Sequence, residues 1–183
     1  DEVDRVAEEV KKLIDDVKRV SDEMLKRSED LIREVKKTSD DVLETVERLI
    51  RDVERKVEER VDKEKARRLR KKLRELLEEV RKAIERSRKN LEDLLRKSKR
   101  SVERSREDLE RIRREVEEVR KMKDDEVLKR LLDKIREDAK RNKDDNKRNL
   151  DESKKEVDRN KDENRRVLEK VKETVKRLKD EVK

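Results

Sequence analysis

Apolar residues recur every 18 positions along this chain, and that spacing restricts its fold more than any other feature of the sequence. An α-helix has about 3.6 residues per turn, so 18 residues complete five turns and rise about 27 Å. Apolar side chains repeated at this interval form a straight stripe along one helix face, whereas a heptad repeat would impose a left-handed supercoil. Series with this step run through all three thirds of the chain and include Leu13, Leu31 and Leu49; Leu73, Leu91 and Leu109; and Leu128, Asn146 and Asn164.

The composition permits long, uninterrupted helices. The sequence contains no Gly, Pro, Cys, His or aromatic residue, and charged residues make up 62% of it. Low hydrophobicity is typical of disordered segments, but those are usually rich in Pro, Gly and Ser. Here the two strongest helix breakers are absent and good helix formers dominate. Strands are not expected, because the aromatic residues and hairpin turns that mark them are missing. The chain is therefore predicted to be all-α.

The apolar repeat is interrupted twice, near residues 59–65 and near residues 120–127. Asp62 and Asp124 are candidate N-caps for the helices that follow, since an Asp carboxylate accepts hydrogen bonds from first-turn amides. The predicted helices cover residues 2–60, 63–121 and 125–182. Short connections make consecutive helices antiparallel. Residues 1–183 are therefore predicted to form one domain, a monomeric, single-chain, antiparallel up-down-up three-helix bundle of long, nearly untwisted helices.

The three predicted helices differ in charge. Residues 1–62 carry a net charge of −6, residues 63–123 carry +11, and residues 124–183 carry +3. An acidic helix beside a basic one favours one arrangement of neighbours over its alternatives.

Most of the neutral polar residues lie on or beside the apolar stripe rather than on the rest of the helix surface. Their placement predicts a buried polar network, because an unpaired polar group in a core costs about 1–3 kcal/mol and must find a partner. The predicted network consists of Ser21, Ser28, Thr38, Ser39, Ser87, Asn90, Ser98, Ser101, Ser105, Asn142, Asn146, Asn149, Ser153, Asn160 and Asn164.

Antiparallel folding of the helices divides this network into three clusters, each combining amides of the third helix with side chains, mostly hydroxyls, of the other two. Such a network is complete in one register only and so specifies the topology. Two alternatives remain open: these side chains are exposed on a rotated or frayed third helix, or they line a water-filled core. The clusters are Asn142 and Asn146 with Ser21, Ser101 and Ser105; Asn149 and Ser153 with Ser28 and Ser98; and Asn160 and Asn164 with Thr38, Ser39, Ser87 and Asn90.

The residues do not predict an enzyme, a cofactor or a metal site. Without His or Cys, the usual zinc sites, di-iron bundle sites and histidine-assisted nucleophiles are excluded. Asp158, Asn160, Asp162 and Glu169 match four positions of a calcium-binding EF-hand loop. However, Glu163 stands where the sharp turn of that loop requires Gly, so the match is weak.

Partners are not predicted either. The most basic runs, residues 63–74 and 96–106, lack the aromatic residues that usually stack on single-stranded nucleic acid, so only weak, salt-sensitive binding to polyanions is expected. No stretch approaches the ~18 apolar residues of a membrane span, and the acidic N-terminal residues do not resemble a signal peptide. Localisation stays open.

Taken together, the 18-residue repeat, the three equal thirds and the neutral polar residues reserved for the apolar stripe resemble a de novo designed helical bundle with buried hydrogen-bond networks. This resemblance is one of style and implies a structural scaffold or rod without a natural biochemical activity. An alternative is an interaction or switch protein whose third helix acts as a displaceable latch. A third hypothesis is a single-helix spacer held by i, i+4 ion pairs.

Overall fold

The computed structural model describes residues 2–122 and 125–182, without the side chains of Glu2 and Val3. These residues form three α-helices: α1 (Glu2–Arg60), α2 (Lys63–Met122) and α3 (Asp125–Val182). They pack against one another, and the described part of the chain contains no strand. The prediction of an all-α three-helix bundle is confirmed, and the single-helix spacer is excluded.

The turn between α1 and α2 uses a capping carboxylate. The backbone N–H of Lys65 donates to Oδ1 of Asp62 over 2.8 Å, and the N–H of Ala66 donates to the Asp62 carbonyl over 2.9 Å. Asp62 is thereby confirmed as an N-cap, which satisfies an otherwise orphaned amide of the first turn. Asp124 lies outside the described residues.

The chain divides into two compact units, each containing part of every helix. Unit 1 comprises α1 up to Asp30, α2 from Asp93 and α3 up to Lys154, and unit 2 comprises the remaining parts of the three helices. Each unit has its own apolar core, formed by residues spaced three and four apart, as one face of a helix requires.

The core of unit 2 is the larger. Its buried residues are Val46, Ile50, Val53, Val57, Ala66, Leu69, Leu73, Leu76, Val80, Ile84, Val171, Val175, Leu178 and Val182. The core of unit 1 consists of Ala7, Val10, Ile14, Val17, Leu109, Ile112, Val116, Ile135 and Ala139. Fully burying one such side chain stabilises the fold by about 1.5–3 kcal/mol.

Ion pairs give α1 and α2 the same antiparallel register in both units. In unit 1, Lys11 pairs with Glu117 over 3.0 Å, and in unit 2, Lys36 pairs with Glu92 over 3.1 Å. In each of these pairs the two residue numbers add to 128. Exposed pairs of this kind contribute only about 0–1 kcal/mol each, so they select the pairing of helices more than they stabilise it.

Candidate functional site

The candidate site is the set of serine and asparagine side chains that interrupt the apolar stripe. Ten of the predicted network residues are buried. They occur on all three helices and in both units, and Ser153 is fully buried at 0% exposure. The ten are Ser21, Ser28, Ser39, Ser87, Ser98, Ser105, Asn146, Ser153, Asn160 and Asn164.

Two buried hydrogen bonds join α1 to α3, one in each unit. The amide of Asn146 donates to the hydroxyl of Ser21 over 2.5 Å, and the amide of Asn164 donates to the hydroxyl of Ser39 over 2.8 Å. In each pair the two residues are 125 positions apart in the sequence. The helices α1 and α3 are therefore parallel and have the same register at both pairs. The Ser21 hydroxyl also donates to the carbonyl of Val17 over 2.8 Å, so it both accepts and donates.

A serine of α2 in unit 2 bonds to α3 through a charged residue rather than an amide. The hydroxyl of Ser87 donates to Oε2 of Glu163 over 3.0 Å. Glu163 is exposed and directly precedes the buried Asn164, so its carboxylate reaches back toward the core from the rim. Glu163 is not among the residues that the sequence predicts for the network, because charged side chains are expected in solvent. The available signal was the position of Glu163 next to the stripe.

Two polar side chains of α3 bond to their own helix. The Ser153 hydroxyl donates to the Asn149 carbonyl over 3.0 Å, and the Asn160 amide donates to the Glu156 carbonyl over 2.8 Å. Such bonds to the carbonyl four residues earlier satisfy a buried donor without a partner on another helix. These two residues therefore do not tie the helices together as the network prediction required.

Two predicted network residues are exposed, which corrects that part of the prediction. Thr38 and Asn90 are both exposed, and the Thr38 hydroxyl donates to the carbonyl of Glu34 on its own helix. Each residue directly precedes a buried one, Ser39 or Leu91. Adjacent helical residues point about 100° apart, so a position next to the stripe turns its side chain toward solvent.

Three further predicted residues, Ser101, Asn142 and Asn149, are half-buried and not fully enclosed. They line a groove between α2 and α3 in unit 1 that also contacts Ser105 and Asn146. The Ser105 hydroxyl is buried and has no hydrogen-bond partner among the described residues. The network in this unit is therefore incomplete.

A small cavity lies beside this groove in unit 1. Ser21, Ser28, Ser98 and Asn149 contribute to its walls. Its volume of about 10 Å³ is close to the roughly 10–15 Å³ that a single water requires. This part of the core therefore has room for one water at most. A cavity of that size does not fit the alternative of a wide, water-filled core.

Lysines of α1 control the ionisation of two glutamates of α2 in unit 1. The hydrogen bond from Lys18, together with its charge, lowers the pKa of Glu110 below its ordinary value. Lys11 lowers the pKa of Glu117 in the same two ways. Both carboxylates are thus stabilised in their ionised form by a cation on the neighbouring helix.

Among residues 2–122 and 125–182, no cluster of three or more acidic, His or Cys side chains is arranged to hold a metal ion. The EF-hand-like residues Asp158, Asn160, Asp162 and Glu169 all lie within the uninterrupted helix α3 rather than in a loop. No described helix is sufficiently long and apolar to cross a membrane.

Comparison with known proteins gives no match: no protein-family model, no curated protein and no solved structure is significantly similar to this chain.

Proposed function

We propose that this chain is a de novo designed structural protein, a scaffold in which buried serine–asparagine pairs select the register of the helices. The observation that carries this proposal is the pair of buried hydrogen bonds Asn146–Ser21 and Asn164–Ser39, which repeat at the same sequence separation in two separate units. The 18-residue repeat of the sequence supports it, because Ser21 and Ser39 are one repeat apart, as are Asn146 and Asn164.

The two buried pairs contribute more to the choice of helix register than to the free energy of unfolding. A neutral hydrogen bond contributes about 0.5–1.5 kcal/mol, whereas a buried group that loses its partner costs about 1–3 kcal/mol. Sliding α3 along α1 would break at least one of the two pairs, because even a shift by one full 18-residue repeat sets only one of the two Asn residues against a Ser. Apolar side chains alone discriminate weakly between registers, since valine and leucine repeat along all three helices.

Replacement of one polar pair by apolar residues tests this function. The variant Asn164→Leu with Ser39→Ala is expected to unfold at the same or a higher urea concentration, because paired polar groups replaced by apolar ones are often neutral or stabilising. Its amide NMR spectrum is expected to show several peaks for single residues of unit 2, which reports more than one register. Light scattering measures any change in oligomeric state in the same sample.

The matched control is Asn90→Leu with Thr38→Ala, which makes nearly the same chemical change at two exposed positions. One peak per amide is expected for it. The proposal is wrong if the Asn164/Ser39 variant also gives one peak per amide at an unchanged mass. It is equally wrong if the control becomes heterogeneous to the same extent, since added apolar surface would then be the cause.

A second candidate function is a displaceable latch, and the hydrogen bonds of α3 favour it. Asn160 and Ser153 bond to their own helix, so Asn146 and Asn164 supply the amide ties from α3 to α1 within the described residues. A latch predicts that amides of 125–182 exchange hydrogen earlier than those of α1 and α2. Equal protection of all three helices would remove this function.

A further inference from the structure

The groove between α2 and α3 in unit 1 is large enough to hold a small ligand. Its volume is about 660 Å³, within the roughly 300–1,000 Å³ typical of small-molecule sites. Its walls are polar, with one side from α2 and the other from α3. The lining residues are Asp93, Arg96, Lys97, Arg100, Ser101, Arg104, Ser105, Asp108, Asn142, Asp145, Asn146 and Asn149.

The acidic residues of the groove are neutralised by arginines of their own helices. Asp93, Asp108 and Asp145 each pair with the arginine three positions later, at 3.1, 3.2 and 3.9 Å respectively. Within the described residues, Arg100 and Arg104 of the same groove make no ion pair. They are four residues apart on α2, so their Cβ atoms are about 5–6 Å apart on one helix face. Two uncompensated guanidinium groups therefore border the groove.

The two units show which ligand chemistry this groove lacks. Ser105 and Asp145 of unit 1 lie one 18-residue repeat from Ser87 and Glu163 of unit 2. In unit 2 the Glu163 carboxylate accepts the hydrogen bond of the Ser87 hydroxyl. In unit 1 the equivalent carboxylate is one methylene shorter, and the Ser105 hydroxyl has no partner among the described residues. The acceptor that Ser105 lacks is an oxyanion.

We propose that this groove binds a small multivalent oxyanion of the phosphate class, held by the guanidinium groups of Arg100 and Arg104 and the hydroxyl of Ser105. Charge-assisted hydrogen bonds from guanidinium to phosphate are strong and often bidentate. The half-buried amides of Asn142 and Asn149 line the same groove and supply further N–H donors. The site is independent of the scaffold role, since neither hydrogen bond that joins α1 to α3 involves these five residues.

Calorimetric titration of the full chain with pyrophosphate at low salt tests the site. Saturable binding with one pyrophosphate per chain is expected. The variant Arg100→Gln with Arg104→Gln is expected to bind about tenfold more weakly or worse, because each lost charge-assisted hydrogen bond reduces the affinity. Ser105→Ala is expected to weaken binding about tenfold or more, as for one hydrogen bond to a charged acceptor. Asp145→Glu is also expected to weaken binding, because the longer carboxylate would take the Ser105 hydroxyl.

The control variant is Arg68→Gln with Lys72→Gln, which removes the same charge at the same spacing on α2 from two exposed residues that do not line the groove. Circular dichroism establishes that all variants keep the helical content of the unaltered chain. The proposal is overturned if pyrophosphate does not saturate, or if the control weakens binding as much as the Arg100/Arg104 variant, because general electrostatic attraction would then account for the affinity. Binding that survives both Arg100/Arg104 and Ser105 changes also overturns it.

Discussion

The two units repeat the same helix register but complete their polar contacts differently. Both have an α1–α3 hydrogen bond from Asn to Ser at a separation of 125 positions. In unit 2 the α2 serine, Ser87, also bonds to Glu163 of α3. In unit 1 the equivalent Ser105 has no partner among the described residues, and a groove lies beside it. The units therefore share the Asn–Ser pair between α1 and α3 and differ in whether the α2 serine has an acceptor; the carboxylate at the equivalent position of α3 is Glu163 in unit 2 and the shorter Asp145 in unit 1.

The unit with the more complete polar contacts, unit 2, also has the larger apolar core. Among the described residues, the buried apolar cluster of unit 2 draws more residues from α2 and α3 than that of unit 1, and the same number from α1. Because burial of apolar surface is the dominant stabilising contribution, unit 2 is expected to be the more resistant to local opening.

The largest expected effect on stability comes from Leu-to-Ala substitutions that create one cavity in each core. Leu73 of unit 2 and Leu109 of unit 1 lie two repeats apart on α2 and are both fully buried. Each change to Ala is expected to lower the free energy of unfolding by about 2–5 kcal/mol, measured by urea denaturation. Hydrogen exchange is expected to rise mainly in the unit that carries the cavity. Identical exchange patterns for Leu73→Ala and Leu109→Ala would show that the two units open as one.

Substitution of Glu163 by Asp and of Asp145 by Glu tests whether carboxylate length explains why Ser105 has no hydrogen-bond partner. Glu163→Asp is expected to lower the free energy of unfolding by about 1–3 kcal/mol, since the Ser87 hydroxyl would lose its acceptor. Asp145→Glu is expected to raise it by about 0.5–1.5 kcal/mol, because Ser105 would gain one. Urea denaturation of both variants measures the two changes. Effects of the same sign at both positions would contradict a cause based on side-chain length.

The fold could be predicted from the sequence because its main determinants are local and periodic. The absence of Gly and Pro, the 18-residue apolar repeat and the Asp62 cap each favour the observed helices. The burial of polar residues on the apolar stripe, such as Ser21 and Asn146, follows from the same periodicity. Periodicity gives the angular position of a residue to within one step of about 100°, so it did not separate Thr38 and Asn90 from their buried neighbours.

The partners of the buried side chains were harder to predict than their burial. Ser153 and Asn160 bond to carbonyls of their own helix, an option that every helical Ser or Asn has and that no sequence pattern marks. The contact of Ser87 with Glu163 depends on the reach of a charged side chain at the rim. Such contacts depend on rotamers and distances, which the repeat does not encode.

Acidic pH is expected to lower the stability of unit 1 through protonation of Glu110 and Glu117. The pKa of each is lowered in the folded chain by Lys18 or Lys11, so the folded state binds fewer protons than the unfolded state. The stabilisation is complete above the ordinary pKa of glutamate and is lost as the pH falls through the lowered folded pKa. Both carboxylates are solvent-exposed, so the expected loss is small.

Thermal unfolding of the chain between neutral and acidic pH measures this loss. The variant Lys11→Gln with Lys18→Gln is expected to show a weaker decline of Tm with acidification. A matched change of the exposed Arg68 and Lys72 to Gln is expected to keep the original decline. Equal declines in all three chains would show that the two lysines do not control this pH dependence.

The smallest expected effects are at the two exposed positions, Thr38 and Asn90. Each change to Ala is expected to alter the free energy of unfolding by less than about 0.5 kcal/mol, as is usual for surface substitutions. Ser39→Ala, one position away, is expected to cost about 1–3 kcal/mol because it removes the acceptor of the buried Asn164 amide. Urea denaturation of Thr38→Ala and Ser39→Ala thus measures the sharpness of the boundary between network and surface. If both changes lowered the free energy of unfolding by similar amounts, Thr38 would belong to the network. Removal of an exposed hydroxyl leaves no buried group without its partner, so a large effect at Thr38 would contradict its exposure.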